Sequence, residues 1–127
     1  NQRLTSMMAP TLLARPDGSE VALGSGGSNR IRTAILQVLV NLVDFGMPLG
    51  PAVDAPRIHL ERNLLSVEAG LGARGELESL LDRYPEHRVW AERSLFFGGV
   101  HAVSLEEEGF SGAGDTRRGG VVRVARK

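Results

Sequence analysis

Cysteine is absent from this chain, and its absence excludes several kinds of chemistry. Without thiols there is no disulfide, no thiolate metal ligand and no cysteine nucleophile. The three histidines do not compensate, because they lie far apart and never form the i, i+3 or i, i+4 pairs of a helical metal site; they are His59, His87 and His101. We therefore expect neither a metal site nor a bound cofactor.

Net charge is absent as well, because fifteen basic and fifteen acidic residues cancel. A balanced chain lacks the basic footprint of proteins that bind nucleic acid, so we expect no nucleic-acid partner. Charged residues interrupt every apolar run before it reaches the length of a membrane span, and no signal peptide is recognisable.

Size and composition are those of a small globular unit. The chain has 127 residues, of which 42% are hydrophobic and 24% charged, as in ordinary globular domains. We therefore predict one domain over residues 1–127. Because the chain starts at Asn1, in a polar stretch with no obvious element, we expect it to be a fragment or a processed piece of a longer protein.

What the sequence does contain is a strand, a glycine-rich loop and a helix in direct succession. Residues 21–30 read Val-Ala-Leu-Gly-Ser-Gly-Gly-Ser-Asn-Arg. Either Ser28 or Asn29 can cap the start of the helix, and Gly46 ends it. The helix is predicted from apolar side chains at the spacing of one helical face, namely Ile31, Ala34, Ile35, Val38, Leu39, Leu42 and Val43.

A glycine loop that leads into a helix offers unpaired backbone N–H groups and the positive end of the helix dipole. These groups suit a carboxylate, a phosphate or the oxyanion of a reacting carbonyl, although a plain packing turn would show the same pattern. The dinucleotide motif G-x-G-x-x-G does not fit, because Asn29 stands at its third glycine. The phosphate loop does not fit either, since no Lys-Ser/Thr pair follows the glycines.

Roughly three helices and five to six strands, with hairpins before and after the main helix, predict an α+β fold with an antiparallel or mixed sheet packed by helices. The predicted elements are a hairpin of strands at 11–15 and 20–23, a short helix at 49–55, an extended segment at 57–60, strands at 64–68, 87–92 and 100–105, a helix at 76–84, a polar glycine-rich loop at 112–120, and a last strand or a tail at 121–124.

Two polar segments are the best candidates for chemistry. Thr5-Ser6-Met7-Met8 and the glycine loop at 24–29 are joined by the hairpin, so they can lie near each other. One offers hydroxyl groups and the other an anion-binding set of backbone N–H groups. No nucleophile or base accompanies them, so the residues alone predict only half a site. Asp115, Arg117 and Arg118 indicate an ion-pair loop with a structural or interfacial role.

Four segments follow one another in a recognisable order. Residues 3–11 read R-L-T-S-M-M-A-P-T, the glycine loop and helix follow, residues 43–47 read V-D-F-G-M, and residues 53–59 read V-D-A-P-R-I-H. This order resembles the C-terminal part of the small subunit of the γ-glutamyltranspeptidases, which carry L-S-S-M-x-P-T, G-S-P-G-G-S-R-I, D-F/Y-G and A-P-R-x-H. Residues 112–118 are similar to the closing A-S-D-P-R loop of that family.

The resemblance implies part of an N-terminal nucleophile hydrolase with an αββα sandwich, mostly antiparallel sheet packed by helices. In that family the precursor cuts itself, and the freed threonine attacks a γ-glutamyl amide such as glutathione, with its own α-amine as base. That threonine lies upstream of the matched region, so Thr5 is not the nucleophile and the isolated chain is expected to be inactive. The implied partners are the remainder of the same precursor, namely the large subunit and the N-terminal part of the small subunit, and a γ-glutamyl small molecule. Only the resemblance suggests a periplasmic or extracellular location.

The family's serine pair, which holds the substrate α-carboxylate, aligns in two ways. Counted back from Pro10 it falls on Ser6 and Met7, and counted forward from Leu4 it falls on Thr5 and Ser6. We take Thr5 and Ser6 as the candidate substrate-binding residues.

The family's glycine pair, which supplies the oxyanion N–H groups, falls on Gly27 and Ser28 from either direction. A bulky residue at Gly27 is expected to depress turnover and to leave folding largely intact. Two alternatives remain open at this point. One is a related amidohydrolase with a different acyl group, and the other is a non-catalytic domain whose glycine loop binds an anion or a partner chain.

Overall fold

The computed structural model describes residues 2–125, and in that part of the chain it has seven strands and three α-helices. The strands are β1 (Thr11–Ala14), β2 (Glu20–Gly26), β3 (Ile58–Glu61), β4 (Leu64–Val67), β5 (His87–Val89), β6 (Gly99–Glu106) and β7 (Gly109–Gly114). The helices are α1 (Arg30–Val43), α2 (Leu49–Asp54) and α3 (Arg74–Arg83), and single 3-10 turns occupy Leu95–Phe97 and Thr116–Arg118.

The strands form two sheets. The larger sheet has the order β1-β2-β6-β7 and is antiparallel throughout. The smaller sheet has the order β3-β4-β5, in which β3 and β4 are antiparallel and β4 and β5 are parallel. The prediction of an α+β fold with mostly antiparallel sheets is therefore confirmed.

Helix α1 covers one face of the larger sheet. Its apolar stripe packs against alternate residues of β2 and β6, because side chains at i and i+2 of a strand point to the same face. The shared core contains Val21, Leu23, Ile31, Ala34, Ile35, Val38, Leu42, Ala52, Val53, Val100, Ala102 and Ala113. Two members of the predicted stripe lie outside this core: Leu39 is partly buried against it, and the other is exposed. Val43, the last residue of α1, is 58% exposed.

The other face of the larger sheet is mostly apolar and exposed in the described chain, except near Gly112, where Val122 packs on it. Leu12, Ala22, Val103 and Gly112 stand in one row across all four strands. Leu12 and Val103 are 65% and 50% exposed, and nearby Phe110 is 70% exposed. A sheet face that meets water is normally polar, so this face has the character of a layer that another element covers.

Several predicted boundaries are wrong, because strand pairing overrides local glycine content. Strand β2 continues through Gly26, which pairs with Gly99, so the loop before α1 is only residues 27–29. The predicted loop at 112–120 begins inside β7, whose last residue, Gly114, pairs with His101. The predicted strand at 87–92 is only three residues long, and residues 121–125 form no strand, which leaves the tail interpretation.

The cap prediction for α1 is also wrong. Asn29 is the N-cap residue, but no side chain caps the helix. The Asn29 amide donates its hydrogen bond to Glu61 of β3 instead.

None of the helices in the described residues combines the length and the apolar character that a membrane span needs.

Within residues 2–125, no group of three or more histidine or acidic side chains is placed to hold a metal ion.

Candidate active site

The loop between β2 and α1 depends on an unusual backbone at two successive residues. Gly27 has φ of 137° and Ser28 has φ of 56°. A Cβ atom on Gly27 would lie 2.8 Å from the Cα atom of Gly98. Glycine is therefore required at position 27 for both its φ angle and its lack of a side chain. The expectation that a bulky residue there leaves folding intact is wrong, because the opposing atom is backbone and cannot rotate away.

The loop leaves three successive backbone N–H groups free within the described part of the chain. The carbonyl of Gly27 accepts from the Arg30 N–H at 3.2 Å, and that of Ser28 accepts from the Ile31 N–H at 3.0 Å. Among the described residues, the N–H groups of Gly27, Ser28 and Asn29 have no acceptor. Free neighbouring N–H groups at a helix start form a concave binding site for an anion.

The two polar segments meet, as the sequence predicted. The Sδ atom of Met7 lies 3.6 Å from Ser28 Oγ. Thr5 and Ser6 are exposed, and Ser6 Oγ accepts a hydrogen bond from the Met8 N–H at 3.2 Å. The hydroxyl segment thus lies beside the glycine loop, and the contact itself is made by Met7.

Two further residues border the loop. Ser25 Oγ accepts from the Gly99 N–H at 3.3 Å and donates to the Gly26 carbonyl at 3.1 Å, which ties the ends of β2 and β6 together. The Arg118 guanidinium carbon lies 3.2 Å from the position that a Gly26 Cβ would take. Arg118 is exposed, and no described acidic side chain pairs with it. An unpaired cation beside free N–H groups adds to the attraction for an anion.

Sequence reasoning placed Arg118 in an ion-pair loop, and only its neighbour Arg117 belongs there. The two arginines point to different sides, and their separation depends on how the 3-10 turn after β7 packs. The pairing of Gly26 with Gly99 opens the space that Arg118 fills. Two glycines paired on adjacent strands would have predicted the position of Arg118, but the sequence alone does not show which residues of those strands pair.

A buried charge network lies behind the loop and confirms the structural role that was predicted for Asp115 and Arg117. Arg57 Nη2 lies 2.7 Å from Asp115 Oδ2, and Arg117 Nη1 lies 3.1 Å from Asp115 Oδ1. Arg117 Nε donates to Glu68 at 2.8 Å. All four side chains are buried. The network joins the A-P-R-x-H segment to the closing loop, so it holds in place the turn that carries Arg118.

The Asp115 carboxyl has a perturbed pKa. Burial raises this pKa, but the Arg57 charge and the N–H groups of Val100 and Arg117 outweigh burial and hold it below its ordinary value. The carboxylate therefore stays ionised at neutral pH, which the two buried guanidinium groups require.

Antiparallel sheets packed by helices, with free N–H groups between a strand and a helix, define an α+β fold with a candidate anion-binding loop. The family profile described as gamma-glutamyltranspeptidase matches residues 1–125. The chain belongs to the γ-glutamyltranspeptidase family.

Individual relatives agree with this assignment. The chain is 29% identical over 131 residues to the glutathione hydrolase proenzyme of Pseudomonas aeruginosa, covering 98% of this chain and 23% of that protein. The γ-glutamyltranspeptidase of Pseudomonas nitroreducens, solved with L-DON, superimposes with a TM-score of 0.78 at 28% identity over 98% of this chain and 65% of that one. The transpeptidase CapD of Bacillus anthracis gives a TM-score of 0.78 at 31% identity over 98% and 74% of the two chains. The match thus spans between 10% and 23% of the length of the curated relatives.

Proposed function

We propose that this chain forms the oxyanion-binding and substrate-binding part of a γ-glutamyltranspeptidase-like hydrolase or acyltransferase. The observation that carries the proposal is the pair of free N–H groups at Gly27 and Ser28, at the position of the family's glycine pair and in contact with the hydroxyl segment. The nucleophilic threonine comes from a part of the precursor outside this chain, so the chain alone is inactive.

In the proposed reaction, the rest of the precursor supplies the nucleophile and this chain supplies the oxyanion donors. The threonine hydroxyl oxygen attacks the γ-glutamyl carbonyl carbon while its α-amine takes the hydroxyl proton. The carbonyl oxygen becomes an oxyanion, and the Gly27 and Ser28 N–H groups donate to it. The amine then passes the proton to the leaving nitrogen, the C–N bond breaks, and an acyl-enzyme remains. Water or an amine acceptor takes the acyl group and frees the threonine.

The substrate carboxylate is assigned to the exposed hydroxyls of Thr5 and Ser6. A hydrogen bond to a charged group contributes roughly 1.5–3 kcal/mol, so its loss weakens binding by about 10- to 100-fold. In the full-length protein, Ser6→Ala is expected to raise KM for γ-glutamyl-p-nitroanilide by about that factor, with a smaller change in kcat. Ser79→Ala, which removes an exposed hydroxyl from α3, is the control and should leave KM unchanged.

Thr5→Ala separates the two alignments of the serine pair. An increase in KM like that of Ser6→Ala supports Thr5 with Ser6, whereas an unchanged KM supports Ser6 with Met7. An unchanged KM in both variants would contradict the assignment of this segment to the carboxylate.

The partner that completes the protein is the remainder of its own precursor. The exposed apolar row on the larger sheet supports this, because a second sheet packed there would bury Leu12, Val103 and Phe110. That second sheet would belong to the N-terminal part of the small subunit.

Two other functions have some support. A related amidohydrolase with another acyl group is supported by the similarity to the acylase ACY 1 proenzyme of Pseudomonas sp. strain V22, which is 32% identical over 108 residues. The unpaired Arg118 beside the loop favours an acyl group that carries a carboxylate, which fits the γ-glutamyl case. A non-catalytic anion- or partner-binding domain would use the same two N–H groups, and it requires no self-cleavage of the precursor.

A further inference from the structure

A chain of polar contacts runs behind the glycine loop and takes no part in the proposed reaction. Asn29, which follows Ser28, donates its side-chain N–H to Glu61 Oε1. The other oxygen, Oε2, lies 3.7 Å from His59 Nε2. The remaining ring nitrogen of His59, Nδ1, lies 2.8 Å from Thr33 Oγ1 in the first turn of α1. The residue that leads the loop into α1 is thus tied to β3.

His59, the histidine in this series of contacts, is deeply buried, and one of its two ring nitrogens lacks a hydrogen bond in the described part of the chain. His59 is 4% exposed, and its Nε2 atom has no hydrogen-bond partner among the described residues. Burial lowers the pKa of His59 more than the neighbouring Glu61 raises it, and Arg30 and Arg32 lower it further. The ring is therefore neutral at pH 7, with one N–H to donate.

The Glu61 carboxylate favours one placement of that proton. The carboxylate of Glu61 can accept but not donate, so the ring proton belongs on Nε2, facing Glu61. Nδ1 then faces the Thr33 hydroxyl as an acceptor, and that hydroxyl has a second acceptor in the Arg30 carbonyl at 3.1 Å. Nε2 faces Glu61 Oε2 at 3.7 Å, an electrostatic contact beyond hydrogen-bond length. The other oxygen, Glu61 Oε1, accepts the hydrogen bond from Asn29.

The loop next to Asn29 needs such an anchor. Ser28 has a φ of 56°, which a residue other than glycine keeps only when its neighbours hold it there. The Asn29 bond to Glu61 holds the C-terminal side of Ser28, and Arg30 adds a bond from Nε to the Phe96 carbonyl at 3.1 Å. The hydrogen bond from Asn29 is the largest cause that lowers the pKa of Glu61, so the Glu61 carboxylate is ionised at neutral pH.

We propose that Glu61, oriented by His59, is a positioning residue that fixes Asn29 and so sets the direction in which Gly27 and Ser28 present their N–H groups. The inference rests on the proposed function, because it assigns Glu61 to the geometry of the oxyanion site. In this role Glu61 acts through Asn29 and not on the reacting atoms.

The test uses the full-length, processed protein with Glu61→Gln and Asn29→Ala, and Glu86→Gln as the control at an exposed glutamate in the loop between α3 and β5. Misplaced catalytic groups slow the chemical step, which lowers kcat, and they leave substrate binding in the ground state unchanged. We expect kcat for γ-glutamyl-p-nitroanilide to fall about 10-fold or more in both variants, with KM within about twofold of wild type. The control should match wild type.

Hydrogen–deuterium exchange of the peptide covering residues 24–31 gives a readout that does not need activity. Both variants are expected to exchange faster than wild type in that peptide, and the control is not. If wild type has no γ-glutamyl activity but the exchange rates respond, the proposed function fails and the positioning of the loop stands. Unchanged exchange in both variants, with or without a loss of kcat, would overturn the positioning role.

Discussion

Replacing Gly27 with alanine in the full-length protein is expected to lower kcat for γ-glutamyl hydrolysis by about 10²–10³-fold, the effect of losing one oxyanion donor. The new methyl group would lie 2.8 Å from the Gly98 Cα atom, so either the loop or the facing strand end must move. Any such movement turns the free N–H groups away from the oxyanion. Some loss of thermal stability should accompany the loss of rate, since a residue with a side chain is strained at a φ of 137°.

Two control variants separate strain from catalysis. Gly46 also has a positive φ, 59°, but has open space around it and lies at the far end of α1. Gly46→Ala therefore tests the strain alone, and its kcat should stay within a fewfold of wild type. Ser28→Gly keeps the N–H and relieves the φ of 56°, so it should also retain most activity. A Gly27→Ala variant with wild-type kcat would contradict the oxyanion assignment.

Replacing Asp115 with alanine is expected to lower the free energy of unfolding by about 3–5 kcal/mol, because the change leaves the buried guanidinium groups of Arg57 and Arg117 short of a counter-charge. Asp115 also accepts from the Val100 N–H at 2.9 Å, so the start of β6 loses a partner. Urea unfolding of the full-length protein measures the loss. Asp44→Asn, at an exposed aspartate after α1, should change stability by less than about 0.5 kcal/mol.

The difference in unfolding free energy between wild type and Asp115→Ala depends on pH in a direction that follows from the pKa of Asp115. The folded-state pKa of Asp115 lies below its ordinary value, so its contribution is fully present above the unfolded pKa of about 3.9. The contribution is lost as pH falls through the folded-state pKa. Wild type and Asp115→Ala should therefore differ fully at pH 7 and converge only in strong acid. A loss below about 1 kcal/mol at pH 7 would contradict the role of the network.

Much of the scaffold follows from local sequence. The apolar spacing of α1 predicts its buried face because burial on one side of a helix requires that period. The meeting of the hydroxyl segment with the glycine loop follows from the hairpin that joins them. Only the family motifs single out Gly27 and Ser28 as the candidate oxyanion residues, because local chemistry alone leaves this loop as one choice among several anion-binding turns.

What the sequence does not predict depends on distant partners. Gly112 to Gly114 look like loop but form a strand, because β6 supplies the hydrogen bonds. Asn29 looks like a helix cap, but Glu61 competes for its amide across 32 positions. The separate roles of Arg117 and Arg118 require the register of β2 against β6. Each of these depends on tertiary pairing, which no local pattern encodes.

Self-cleavage of the full-length precursor is the most direct test of the central claim. The protein is expressed whole and run on a denaturing gel, and the N-terminus of the smaller product is sequenced. We expect two bands that copurify, with the smaller beginning at threonine and containing this chain. A single uncut band would contradict the N-terminal nucleophile chemistry and favour a domain that only binds an anion or a partner chain.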